Sequence, residues 1–338
     1  RRRHTRCSRD WSSDVCSSDL IATVNGTRSK IASFDSRVYG AQDSCDTQWF
    51  PQACNGLRGG VPITGNNPLD ANIANAPSVQ AAWASHLVQT FGLAAAGGLR
   101  YYILDNEPSL WHETHRDVRP IGATMDDTRD ALIAYSAAIK SVDPGAMLAG
   151  PEEWGWSGYF YSGYDQQYGN AHGWSALPDR QAHGNADYLP WLLQQLKARS
   201  DLDGRRVLDV VTAHFYPQGG EFWPTGDVST TMQLRRNRST RALWDPAYVD
   251  ETWINQAVTL IPRLRTWTDT YYYPGTSIGI TEYNWGAETH INGATTQADI
   301  YGIFGREGLD LAARWTTPDA STPTYKAMKM YRNYDGNG

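Results

Sequence analysis

The sequence predicts an α/β fold of the (β/α)8 (TIM) barrel type, and three observations predict it. Short apolar runs bounded by Gly, Pro, Asn or Asp alternate with helical periodicity about five times along the 338 residues. The polar and aromatic residues of each unit fall just after the apolar run, on the side where such a barrel keeps its working residues. Two of the runs, Leu99–Trp111 and Ser277–Trp285, stop abruptly at a glutamate, Glu107 and Glu282. A chain of this length can bury one large core, and barrels of this size form a single domain.

Taken in order, Ile21–Val24 reads as a scrap of strand, and the region 25–75 as a long loop rich in Gly, Pro, Asn and Asp. Pro77–Phe91 has the helical spacing Val79, Trp83, Leu87, Val88, Phe91. Tyr101–Leu104 is a core strand. Asp127–Val142 is a patterned helix stopped by Asp143-Pro144-Gly145. Ala146–Ala149 and Val207–Ala213 are further strands, with the Tyr188–Arg199 helix between them. Glu251–Thr270 reads as a helix, Ile278–Thr281 as a strand and Thr296–Gly305 as a helix. Leu309–Arg314 is the last strand and Thr324–Arg332 closes the chain helically. The stretches Trp154–Leu189 and Gln218–Val249 are too long for plain connections and are expected to be insertions.

The first twenty residues do not belong to this pattern. Arg1–Leu20 has no apolar core for a signal peptide and no strand or helix period. WSSDVCSSDL resembles translated sequencing adapter, the alternative being a basic tail, and the segment is set aside as a non-native 1–20 ahead of a catalytic domain over 21–338. The net charge is −6, and without that segment it is −8, which gives no footing for nucleic acid. No apolar run reaches the roughly 18 residues of a membrane helix. Setting the segment aside leaves two of the four cysteines, Cys45 and Cys54, nine apart in a turn-rich loop. They read as a disulfide of an oxidising compartment or, alternatively, as two thiols.

The chemistry is carried by the two strand-end glutamates. Two carboxylates facing one another can act as acid and nucleophile on a glycosidic bond. The chain also holds 14 Trp and 19 Tyr, many beside Gly, Asn, Asp and Ser, as expected of rings that line a sugar groove. His112-Glu113-Thr114-His115 has its histidines three apart, whereas the metalloprotease signature sets them four apart.

DNEPSLWHETHRDV, GPEEWGWSGYFYSGYD, AHFYPQ and ITEYNWG, in that order, resemble glycoside hydrolase family 44, retaining endoglucanases and xyloglucanases. The resemblance implies that Glu107 is the acid/base after the fourth strand and Glu282 the nucleophile after the seventh. It also implies that Ile21–Val24 is the tail of the third strand and Leu309–Arg314 the eighth. On this reading the barrel is incomplete, without its first strands and without the family's C-terminal β-sandwich. Asn106 is then expected to donate to a sugar 2-hydroxyl and Tyr216 to orient the nucleophile. His214 assists them or is a satisfied core histidine.

Trp315 is expected to be a floor for a sugar ring, with core filling as the alternative, and Trp111, Trp154, Trp156, Trp223, Tyr283 and Trp285 are candidate substrate contacts. Glu152 and Glu153 could bind sugar hydroxyls, hold a structural Ca²⁺ or act electrostatically on Glu107. No cofactor is required. The expected protein is a secreted monomer acting on β-1,4-glucan, without nucleic-acid or membrane partners. Two alternatives stay open, a mannanase or xylanase of the same clan and a non-catalytic carbohydrate-binding protein, which would not need the glutamate pair. A native transcript or protein N-terminus that reads through Arg1–Leu20 would overturn its exclusion.

Overall fold

The computed structural model describes residues 20–22, 34–46, 51–70, 72–222 and 226–332. Most of Arg1–Leu20, Val24 and Trp223 lie outside them. The fold is α/β, and the chain divides into two compact units. One comprises the chain up to Leu148 together with Tyr161–Asn185; the other comprises Ala149–Phe160 and everything from Ala186.

The first unit opens with β1 (Leu20–Ala22), which pairs antiparallel with β4 (Asn72–Ala74). That pairing replaces the expected barrel strand over Ile21–Val24, because it lies outside the main sheet. Between them, β2 (Leu57–Arg58) and β3 (Val61–Pro62) form a tight hairpin. Cys45 and Cys54 face each other across an isolated antiparallel bridge and are joined as a disulfide.

The Pro77–Phe91 helix stands where the periodicity puts it, but it buries Gln80 and Ala84 and leaves Val79, Trp83 and Phe91 exposed. It packs on the Met125–Val142 helix, whose N-terminus is a capping box: Thr124 accepts from the Asp127 N–H and Asp127 accepts in return. That helix turns Leu132, Tyr135 and Ile139 inward. β5 (Tyr101–Ile103) and the start of β6 (Met147–Glu153) meet through the Met147 N–H, which donates to the Arg100 carbonyl at 2.8 Å.

β6 continues into the second unit, where it pairs in parallel with β7 (Val210–Phe215), which pairs with β8 (Ser277–Tyr283), and this with β9 (Leu311–Ala312). The sheet order is β5-β6-β7-β8-β9, five strands in the sequential parallel order of an incomplete (β/α)8 barrel. Val210, Val211, Phe215, Ile278 and Ile280 are buried in it, as the apolar runs require. The Tyr188–Asp203, Leu260–Tyr271 and Ile291–Glu307 helices cover this part of the sheet with Leu192, Leu196, Ile261, Leu264 and Ile300 buried.

Several boundaries differ from the sequence reading, each for a local reason. β7 begins at Val210 rather than Val207, because the N–H groups of Val207 and Leu208 are taken by the Ser200 and Tyr272 hydroxyls. The helix expected from Glu251 starts at Leu260 instead. Asp250 turns the chain by accepting the Thr252 N–H, and Asn255 and Thr259 adopt left-handed φ of 46° and 44°. β6 runs past Gly150-Pro151 to Glu153, with a bulge that keeps it paired to β7. β9 is only two residues long.

The Gln218–Val249 insertion contains a helix, Thr230–Ser239, that has no apolar period. Ser229 caps it, and Arg236, 0 % exposed, anchors it. The Arg236 guanidinium donates to the carbonyls of Trp285 (2.7 Å), Glu221 (2.9 Å) and Asp227 (2.9 Å) and to the Asn292 side chain (2.7 Å). One cation thus satisfies the backbone of two loops that could not otherwise be buried.

Two outcomes follow. Arg236→Leu should destabilise the second unit by about 3–5 kcal/mol, since it strands several buried acceptors, and urea unfolding followed by tryptophan fluorescence would measure it; a loss below 1 kcal/mol would contradict the anchoring role. Without reductant, the peptide carrying Cys45 and Cys54 should resist alkylation, and Cys45→Ser should cost the first unit about 2–3 kcal/mol.

Candidate active site

Candidate residues follow the carboxyl ends of the parallel strands in each of the two units. In the first unit, β5 leads through Leu104 into the corner Asp105-Asn106-Glu107. Asp105 and Glu107 both hold left-handed φ, 71° and 50°, a conformation that costs an L-residue energy and is kept where the surrounding structure imposes it. The corner is pinned from both sides. The Asn106 N–H donates to Asp105 Oδ1 at 2.5 Å, and the Trp111 indole donates to the Asn106 carbonyl at 3.1 Å. Pro108 then starts a single 3₁₀ turn, closed by the Leu110 N–H on the Glu107 carbonyl. Asn106 and Glu107 are left half-buried at the tip.

In the second unit, β8 delivers Glu282 with its side chain 19 % exposed, beyond the buried Ile280 and Thr281. The Tyr216 hydroxyl, one residue past the end of β7, donates to Glu282 Oε2 at 2.9 Å. His214, on β7 and directly paired with Glu282 in the ladder, brings Nδ1 to 3.6 Å from the same oxygen. Its Nε2 lies 3.0 Å from Glu152 Oε2. Glu152 also accepts from the Thr212 and Thr281 hydroxyls.

Glu152 is 1 % exposed with donors on both oxygens, so it has no room for a sugar hydroxyl or a Ca²⁺ ion. Neighbouring Glu153 is fully buried as well. Sequence reading put both on the rim because a Glu-Glu pair after Gly-Pro looks like a loop; the continuing strand turns it inward instead.

The aromatic candidates divide by burial. Trp315 is 45 % exposed and Trp154 half-buried, so both can offer a ring face. Trp111, Trp156, Tyr283 and Trp285 are buried and serve the frame. Trp156 packs edge-on against Phe160 with the Arg263 guanidinium over its ring. The Trp285 indole donates to Ser239 Oγ at 2.9 Å, and the Tyr283 hydroxyl accepts from Gln297 at 2.9 Å. Burial pushes the Tyr283 phenol well above its usual range, so it stays neutral.

One residue that sequence reading passed over is Arg314. It ties Asn284 (2.8 Å), Gln297 (3.1 Å) and Glu288 (2.8 Å) together directly before Trp315. An Arg adjoining an aromatic at the end of a short strand is the signal that could have found it. The His112 and His115 imidazoles are pushed down by burial, and both sit on or next to the short Trp111–Thr114 helix of the first unit.

A partly exposed carboxylate that accepts from a phenol, beside an imidazole, is chemically suited to attack an electrophilic carbon or to steady a cation. Residues 15–219 match the model of glycoside hydrolase family 44. The chain is 38 % identical over 263 residues to endoglucanase A of Paenibacillus lautus, covering 74 % of this chain and 36 % of that protein.

Among solved structures it is similar to CelM2, described as a bifunctional glucanase-xylanase protein from a metagenome library. The TM-score is 0.90 at 66 % identity, over 94 % of this chain and 61 % of that one. It is also similar to a Paenibacillus polymyxa family 44 xyloglucanase solved with xyloglucan, with a TM-score of 0.66 at 32 % identity over 76 % of this chain and 50 % of that one. The chain therefore spans between about a third and three fifths of the length of these relatives. On the family match and the strand-end carboxylates together, the chain belongs to glycoside hydrolase family 44.

Proposed function

We propose that the protein is a retaining endo-β-1,4-glucanase that cleaves cellulose-type β-glucans and xyloglucan by double displacement. The observation that carries this reading is Glu282: a carboxylate at the end of a buried strand, with Tyr216 bonded to one oxygen and His214 beside it. Glu282, ionised, attacks the anomeric carbon and forms a glycosyl-enzyme. Glu107, protonated, gives its proton to the departing oxygen and then takes one from the water that releases the product. Asn106 donates to the 2-hydroxyl, a bond that strengthens as the oxocarbenium ion forms. Trp315 and Trp154 stack on pyranose rings.

The Cys45–Cys54 disulfide supports an oxidising, extracellular setting, where a polymeric substrate is met. The chain works as a monomer and needs no cofactor. Among the described residues no helix is long and apolar enough to cross a membrane. The similarity to the bifunctional glucanase-xylanase favours xylan as a second substrate. A purely carbohydrate-binding role would leave Glu107 and Glu282 without a task.

Azide separates the two carboxylate roles. Glu107→Ala should still turn over an aryl glycoside with an excellent leaving group, and added azide should then give the β-glycosyl azide. Glu282→Ala should give the α-azide at most. Swapped products would reverse the assignment, and an inverted sugar from the wild-type protein, read by proton NMR, would end the retaining mechanism. Failure to release reducing ends from β-glucan, xyloglucan or xylan would leave the binding reading.

A further inference from the structure

Resting on the reading of Glu282 as nucleophile, we propose that Glu152 is a positioning residue for it. Glu152 holds the His214 ring with its Nε2 proton directed inward, so that the Nδ1 edge is presented to the Glu282 carboxylate. The backbone makes a special provision for this contact. Along β6 and β7 the register runs Gly150 to Val211, Pro151 to Thr212 and Glu153 to Ala213, skipping Glu152. Along β7 and β8 it runs Ala213 to Ile280 and His214 to Glu282, skipping Thr281. Two bulges thus insert one extra residue each, and the two inserted side chains hydrogen-bond to one another. Glu152 sits at a left-handed φ of 60° to make its contact.

A carboxylate this deep is costly unless donors surround it, and an apolar residue there would pack more cheaply. Ionised, Glu152 can only accept, and its three described partners are the Thr212 hydroxyl, the Thr281 hydroxyl and His214 Nε2. Against a carboxylate the imidazole carries a proton on Nε2, and the ring cannot turn without breaking that bond. With the ring fixed, Nδ1 stays 3.6 Å from the Glu282 oxygen that Tyr216 also holds, and it attracts that oxygen when the ring carries a proton on Nδ1 as well. Two groups on different residues then bear on one carboxylate oxygen, and Glu152 sets the position of one of them.

The full chain, labelled with ¹⁵N-histidine, provides the test, with the His214 signals assigned by their loss in His214→Asn. In the wild type His214 should carry a proton on Nε2 at neutral pH. In Glu152→Gln that proton should be lost or exchange between the two nitrogens. With a dinitrophenyl β-cellobioside, kcat should fall about 10- to 100-fold with KM within about twofold, the pattern of a misplaced reacting group rather than lost binding.

If Glu152→Gln fails to fold, Thr281→Val removes one donor from the same carboxylate and should shift the His214 signals with a smaller loss in kcat. A wild-type His214 protonated on Nδ1 alone, or a variant with both spectrum and kcat unchanged, would overturn the proposal while leaving the hydrolase reading intact. A wild type that cleaves no glycoside but keeps the Nε2 proton would overturn the hydrolase reading and leave the Glu152–His214 link standing.

Discussion

Parallel pairing of β6, β7 and β8 is the constraint on which the second unit depends. A parallel ladder brings the carboxyl ends of its strands to one side, so whatever residues follow the apolar core collect there. Here the register places His214 against Glu282 directly, with a bulge on each flank bringing Glu152 and Thr281 to the same level. A slip of one residue would turn His214 to the other face and separate it from both carboxylates. Val210 and Val211 of β7 and Ile278 and Ile280 of β8 help to hold that register, because a slip would displace packed apolar side chains. Core and site are therefore one structure read at two ends of the same strands.

What could be read from the sequence follows from which forces are local. The Pro77–Phe91 and Met125–Val142 helices and the positions of β5, β7 and β8 were legible because periodicity, Pro and Asp-Pro-Gly act within a few residues. The Thr230–Ser239 helix was not, since its anchor is a single Arg236 whose partners lie 9 to 56 residues away. The late start of the Leu260–Tyr271 helix is set by an aspartate turn and two left-handed residues, which a hydrophobic pattern does not record. In the candidate site, Glu107, Glu282 and Tyr216 were legible as strand-end polar residues. The inward turn of Glu152 was not, because a bulge is a relation between two strands and leaves no mark on either one alone.

The tryptophans teach a related lesson. A ring beside Gly or Asn looks like a sugar platform, yet Trp111, Trp156 and Trp285 are buried, and the indoles of Trp111 and Trp285 donate to Asn106 and Ser239. An indole satisfies a frame as readily as it receives a pyranose, since its apolar area favours burial and its N–H finds an acceptor. Sequence neighbours do not separate the two uses; exposure does. Trp315 differs because Arg314, directly before it, is pulled inward by Asn284, Gln297 and Glu288. Alternation along an extended segment then turns the next side chain outward.

Two glutamates on the strands either side of β7, Glu152 and Glu282, show how environment separates identical side chains. Glu152 is enclosed, and its oxygens are committed to two hydroxyls and an imidazole, so its charge is spent on holding protein groups. Glu282 is partly open, and the contacts from Tyr216 and His214 fall on one oxygen, Oε2. A nucleophile surrounded as fully as Glu152 would be too well solvated by the protein to attack, and one with no donors would not be held in line. The difference between the two positions is a matter of one bulge and a few ångströms. It is enough to make one carboxylate a part of the frame and leave the other partly exposed.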